Sequence, residues 1–558
     1  VNINYLRIKE SMYEFESSSG DAGPVLVSPQ ETITITGDGL LVEHIVMVAR
    51  QKARVSLANL AHRNIDSARR VVEGAIGLGQ PVYGLNTDVG PFYKSGISAD
   101  RMSDFQLETV LGHAIGHGTR IESSVVRAMM LARVNGIARG GAGVRKTIAE
   151  GLVNLINNRI HPVAYYDGSI GQSDLSEMAQ IAGVLVGVGE VEFRGQLMPA
   201  AKALRLAGLH PVNLEPKEAI ALISCNGYTL GLGAHIVYDA ALLLRSFDIA
   251  AALSLEGFAG NPSIIHDSAS RLKPHPGHIR VATRLRALLK GSCLYDSGIP
   301  RNLQDPLSFR CIPQVHGVFD QAWNRLKDAF YIELNSAGDN PLVSSFDGTI
   351  FSVGNFDVSE LALSLDTFKI ALAHAMQLSS ERIQKHLWAQ FSGLPTALAD
   401  KDVPASKLIP LGRTAAALAS EARGLAFPVS LTYQSAVAEG IEDYASMAPC
   451  AARKTAELIG LAQKLVAIEL MVAARAVELR RHTRLGEGTA RAFELVRAGS
   501  RLDASVWKQE FARVEELVAD GRLVKSVTAN SKQERPAPSP TRSGTADAIS
   551  VAINKANI

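Results

Sequence analysis

The sequence predicts an all-α fold, a long helical body with only small β elements, and three observations predict it. Apolar residues recur at three- and four-residue steps over long stretches, strand-like alternation is confined to short pieces, and no low-complexity linker divides the 558 residues. The clearest period runs through Leu361, Leu365, Phe368, Leu372 and Met376, with Asp366, Lys369 and His374 between them, so residues 361–387 read as one amphipathic helix. Similar patterns cover residues 42–77, 125–158, 216–254 and 455–481, while residues 31–36 and 349–353 read as short strands. Between these elements the strong breaks are brief Gly/Pro clusters, at 77–81 and 393–410. The expected organisation is a single helical body over 31–525, between a Ser/Gly-rich segment at 1–30 and a Pro/Ser-rich tail at 526–558, both expected to be mobile.

Composition narrows the function classes. A net charge of +2 offers no excess to draw the chain to nucleic acid or a membrane surface, and 47% hydrophobic against 20% charged residues suits a large folded core. The most apolar region, 219–259, is interrupted by Asn226, His235, Asp239, Arg245 and Asp248, so no membrane span is expected. Cys225, Cys293, Cys311 and Cys450 lie far apart with no paired or zinc-ligand spacing, which predicts neither a disulfide framework nor a metal site. Residues 1–23 lack the unbroken apolar stretch of an export signal, and a cytoplasmic location is expected.

Six segments carry residues of chemical interest, each ambiguous alone. PVYGLNTDVGPF (81–92) places Tyr83 in a tight loop that Gly84 and Gly90 permit. FQLETVLGHAIGHG (105–118) reads as a helix offering Gly112 and His113. GSIGQSDLSEMA (168–179) is a small-residue loop opening into a helix, with Ser173 or Asp174 at a capping position. QDPLSFRCIPQVHG (304–317) holds Arg310, able to grip a carboxylate in a bidentate pair or to form a surface salt bridge. ELNSAGDNPL begins at Glu333 and GNF at Gly354; in GIEDYASM, from Gly440, Glu442 and Asp443 read as the start of a helix. The ARGGAG run at 138–143 lies inside a helical pattern and reads as a packing notch or turn, not as a phosphate cradle. No phosphate loop of Walker type and no GxGxxG after a strand suggests a nucleotide.

Taken in order across some 450 residues, these segments resemble the histidine and aromatic amino-acid ammonia-lyases and the related aminomutases. The matching text includes VYGLNTDVG, VRAMMLARVNGIARGGAGVR, EPKEAIALI, PQVHG, ELNSAGDNP, LALSLDTFKIALA, EDYASM and LGEGT. The resemblance implies the ammonia-lyase fold of long central helices, a homotetramer and active sites shared between subunits. It also implies roles: Tyr83 as catalytic base, Glu442 as the second catalytic group, Arg310 for the substrate carboxylate, Gln304 and Asn335 as polar helpers, Phe356 in the pocket, and His113 in the pair that sets side-chain selectivity. A small carboxylic acid is the expected partner, with a polar group preferred over a bare phenyl ring.

The departures from the family pattern are equally specific. Its electrophile, methylidene-imidazolone, forms from an Ala-Ser-Gly triplet, whereas this chain reads Gly171, Gln172, Ser173, Asp174, one residue short and without the glycine whose nitrogen must attack a neighbouring carbonyl. No such group is expected to form. Leu307 stands where the family has an active-site tyrosine, and Asp357 and Val358 replace the His-Gly that often follows GNF. In an ungapped reading Ser224 takes the place of the asparagine beside the electrophile; a two-residue shift restores Asn226.

The expected function is therefore an enzyme of this fold working without the prosthetic group, in specialised metabolism, on a carboxylate-bearing substrate that carries its own activation. Elimination, isomerisation or conjugate addition with cyclisation would satisfy it. Two other readings stand beside it: an inactive ligand-binding or scaffolding homologue, and a conventional ammonia-lyase or aminomutase whose electrophile forms from the altered loop.

Overall fold

The computed structural model describes residues 32–399, 408–432, 435–481, 484–498 and 507–528. It is predominantly helical, with small two- and three-stranded sheets. The principal apolar core is continuous from Ile33 to Val527, and no helix among the described residues is long and apolar enough to cross a membrane. The N-terminal segment 1–30 lies outside the described residues. Of the expected tail, 526–528 close a helix, Arg522–Thr528, and the remainder lies outside them.

Six helices frame the site: α1 (Ser123–Ala138), α2 (Leu175–Leu185), α3 (Gly227–Phe258), α4 (Ile312–Leu334), α5 (Ser359–Leu387) and α6 (Ala448–Arg480). The expected period over 361–387 is realised as α5, which buries Leu361, Leu365, Phe368, Leu372 and Met376. The long helix α3 packs against α1, α4 and α6; it is buried on nearly all sides, which explains its apolar composition.

Several stretches read as continuous helices are broken, each for a visible reason. Residues 42–77 split into Val42–Ala49 and Asn59–Gly77. Between them Lys52 turns at φ 65°, and Arg54–Leu57 pairs in parallel with Thr32–Ile35, burying Val55 beside Ile33 and Ile35. Residues 125–158 break at the glycine run, where a Cβ on Gly141 would stand 2.6 Å from the Ala337 side chain and Gly143 turns at φ +70°. That run is a turn admitting close neighbours. Residues 216–254 break at Ser224–Asn226, where the site is built.

Candidate active site

The loop at 168–174 is held from two sides. Toward α3, the Asp174 amide donates to the Cys225 carbonyl at 2.9 Å and the Ser173 and Ser224 hydroxyls lie 3.2 Å apart. Asp174 occupies the N-cap position of α2, but its carboxylate caps α3 instead, accepting from the Thr229 amide at 2.7 Å and the Thr229 hydroxyl at 3.2 Å. Toward α6, Met447 N donates to the Ile170 carbonyl at 2.9 Å, Ser446 Oγ to the Gly171 carbonyl at 3.0 Å, and Gln172 Nε2 to the Tyr444 carbonyl. Gly171 turns at φ +91°, and a Cβ there would collide with the Ser446 hydroxyl.

These bonds use the backbone expected to start a helix at Glu442. The helix starts instead at Ala448, after Met447 turns at φ 57°, with Pro449 in its first turn where no N–H is needed. Glu442 lies in the preceding loop, bridged to Val437.

Tyr83 sits in its predicted loop, with its hydroxyl accepting from Gly90 N at 2.9 Å and with Asn86 Oδ1 fastening the Val82 amide at 2.7 Å. Burial, and then the carboxylates of Glu442 and Asp88, push the phenol above its ordinary value, against the Gly90 hydrogen bond. His113 closes its helix, its Nδ1 2.7 Å from the Thr109 carbonyl.

Asn226 and Ser224, between which the sequence left the place of the family asparagine open, have different partners. Ser224 meets Ser173, while Asn226 donates Nδ2 to the Phe356 carbonyl at 2.7 Å. Asp357 accepts from the Ser359 amide and hydroxyl, both at 3.1 Å, and that hydroxyl lies 2.7 Å from the Tyr444 hydroxyl. Tyr83, the 168–174 loop, Ser224, Phe356 and Glu442 thus gather at one end of the bundle. Asn335 is occupied elsewhere, its amide clamping Leu40 by accepting from Leu40 N at 2.8 Å and donating to Leu40 O at 3.1 Å.

Arg310 and Gln304 stand at the opposite end. Arg310 Nε donates to the Asp305 carbonyl at 2.7 Å; with its amide oxygen facing the guanidinium, Gln304 accepts from Nη1 at 2.6 Å and Nη2 at 2.8 Å. Their segment is anchored by Arg382 Nη1, which donates to the Ser308 carbonyl at 3.2 Å. Ser359, beside Tyr444, and Arg382 lie on the same helix α5, and its rise separates them by roughly 35 Å. Leu307 is 62% exposed and Leu303 97%.

Comparison with known proteins agrees with the fold. The aromatic amino acid lyase family matches over residues 40–498. The chain belongs to that family. It is 35% identical to a histidine ammonia-lyase of Alkaliphilus oremlandii over 498 residues, covering 89% of this chain and 98% of the relative. Among solved structures, the ergothioneine-degrading ergothionase of Treponema denticola superposes with a TM-score of 0.83 at 29% identity, covering 88% of this chain and all of that one. The histidine ammonia-lyase of Trypanosoma cruzi gives 0.82 at 28%, covering 89% and 95%. Members of this family are lyases, so the chain is placed among lyase-family enzymes.

One buried acid, Glu177, was missed in the sequence. Glu177 is fully buried beside Asp174, with Ser169 Oγ donating to it, and burial pushes both carboxyl groups up, the charge of Glu177 adding to the effect on Asp174. An acid in the first turn of a helix normally reads as a solvated partner of the helix dipole, so no local signal distinguishes it.

Proposed function

We propose that this chain is a lyase acting on a small histidine-like carboxylate, and that it works without methylidene-imidazolone. The loop carries the second half of this reading. Cyclisation would require the nitrogen of Asp174 to attack the carbonyl of Gln172, but that nitrogen donates to Cys225 while its side chain is fastened to Thr229 on another helix. These residues do not fit the prosthetic group. Intact mass under denaturing conditions, with peptide mapping across 165–180, should equal the unmodified sequence; loss of two water molecules there would overturn the reading.

The substrate class rests on the relatives. Ergothioneine is a histidine-derived betaine, and a quaternary nitrogen leaves as a neutral amine without prior activation. With such a substrate, loss of a β-proton and cleavage of the C–N bond yield an unsaturated acid and the free amine. Tyr83 would manage the proton and Arg310 would hold the carboxylate. Isomerisation or conjugate addition would use the same groups.

A second reading has the relatives' names on its side. Proteins about one-third identical over nearly their whole length are histidine ammonia-lyases, which favours conventional deamination with an electrophile built from Gln172, Ser173 and Asp174. The mass measurement separates the two.

The assembly proposed is a homotetramer with shared sites, supported by the placement of the Tyr83 cluster and Arg310 at opposite ends of α5. Homotetramers of Tyr83→Phe and of Arg310→Lys should each be nearly inactive, whereas subunits mixed after dissociation should regain activity, because some sites then receive both native groups. Mixed tetramers as inactive as their parents would refute the shared site.

A further inference from the structure

Asp174 locks loop 168–174 onto α3, and a second acid is buried beside it in the first turn of α2. Asp174 and Glu177 stand at the N-cap and N3 positions of that helix, the spacing at which two side chains face each other across a first turn. Both are fully buried. The reciprocal cap that this spacing allows is not made: Asp174 has no side-chain bond to α2 and gives its amide to the Cys225 carbonyl at 2.9 Å. Its carboxylate accepts from the Thr229 amide and hydroxyl, at 2.7 and 3.2 Å, and so lies at the N-termini of both α2 and α3, where negative charge is favoured.

Glu177 has a poorer setting for a charge. Ser169 Oγ donates to Oε2, but Oε1 is buried with no partner. An unpartnered oxygen costs more on a carboxylate than on a neutral carboxylic acid, and two anions in one buried turn repel. Among the described residues no basic side chain pairs with either acid: Arg453 on α6, whose charge reaches Glu177, forms its ion pair with Asp167 at 3.1 Å and lies over the Tyr166 ring. Cys225 and Tyr228, which face Asp174 from the α3 side, are kept protonated by burial. Two other helices pack on α2. Residues 102–113 bury the uncharged Gln106, Thr109 and Val110, and residues 218–223 bury Glu218, whose carboxylate is held by Arg145 at 2.8 and 2.7 Å. Burial, the largest effect on both Asp174 and Glu177, raises their carboxyl groups accordingly.

We infer that Glu177 is a positioning residue of the site: it keeps the one proton of the Asp174–Glu177 pair, leaves Asp174 alone charged to cap α3, and so holds loop 168–174 in place. Loss of that proton puts two anions in one buried turn, a conflict relieved by releasing the loop to water. The closed loop binds the proton and the open loop gives it up, at every pH between the ordinary carboxyl range and the raised value of the closed form. Opening is therefore favoured increasingly as pH rises through that window, and no further above it. The loop presents the Ser173 hydroxyl to Ser224, with Ser173 at φ 74°, and its release withdraws that hydroxyl from the Tyr83 end of the bundle. This holds whichever substrate the site takes.

The test is hydrogen exchange of the full-length protein, read by mass spectrometry and corrected for the intrinsic rate at each pH. Protection in peptides spanning 165–180 should fall on the order of tenfold or more between about pH 5 and about pH 8, while that of α5 is unchanged. Glu177→Gln keeps the shape and an acceptor for Ser169 but has no proton to lose, so its loop should stay protected across the same range. Infrared difference spectra between the two pH values should show the parent losing a carbonyl band of a buried carboxylic acid that Glu177→Gln never shows. Asp174→Asn, which weakens the cap on α3, should lower loop protection at both pH values. Parent protection that does not change with pH, or the same fall in Glu177→Gln, overturns the proposal. So does a carbonyl band that persists in Glu177→Gln and vanishes in Asp174→Asn, since the proton would then belong to Asp174.

Discussion

Tyr83→Phe should lower turnover by about 10²–10⁴-fold while leaving the assembly and the melting transition unchanged. The hydroxyl accepts only the Gly90 amide, a bond that closes an already tight loop, so its removal leaves packing intact. Burial, Glu442 and Asp88 hold the phenol protonated, and in one chain Tyr83 is a proton donor before it is a base. Steady-state kinetics on a histidine-like carboxylate, with sedimentation as the control, decides it. Full activity in Tyr83→Phe would remove this residue from the mechanism.

The largest loss of stability is expected from Glu469→Ala. Glu469 on α6 and Arg382 on α5 are both fully buried and joined at two points, Nε to Oε1 at 2.6 Å and Nη2 to Oε2 at 2.9 Å. Ser254 on α3 donates to Oε1 at 2.8 Å and Ser379 to Oε2 at 2.5 Å, so three helices meet on this carboxylate. Burial opposes its ionisation, but the Arg382 charge and these hydrogen bonds prevail and hold its pKa below the ordinary value. The stabilisation is therefore present above the unfolded carboxyl range and lost as pH falls through the depressed value. Truncation leaves the Arg382 guanidinium buried without its anion, a loss of about 3–5 kcal/mol, whereas an apolar double replacement of Arg382 and Glu469 should recover much of it. Denaturant midpoints for the two variants test this; equal losses would contradict it. Because Arg382 also holds the Ser308 carbonyl, Glu469→Ala should in addition loosen the segment that presents Arg310.

The helical class was legible because the apolar period in 361–387 is a direct consequence of 3.6 residues per turn, and it became α5 with its expected buried face. The breaks were less legible. A glycine run inside a helical pattern reads equally as a notch or a turn until the Ala337 side chain is seen where a Cβ would stand, and EDYASM reads as a helix start until its residues are found serving another loop. Of the site residues, Tyr83, Ser224, Phe356 and Glu442 are gathered at one end, whereas Asn335 clamps Leu40 and Arg310 lies across the length of α5.

By itself the sequence determined the helical class, the order of the motifs and the absence of a glycine after Ser173, because each depends on residue type and local spacing. The tertiary structure decided where charges lie and what faces them. Asp174 caps α3 and not its own helix, Arg382 meets Glu469, and Ser359, beside the Tyr83 cluster, and Arg382, beside the Arg310 segment, are kept roughly 35 Å apart by the rise of one helix. These are contacts between residues distant in the chain, and local spacing carries no information about which of them will meet.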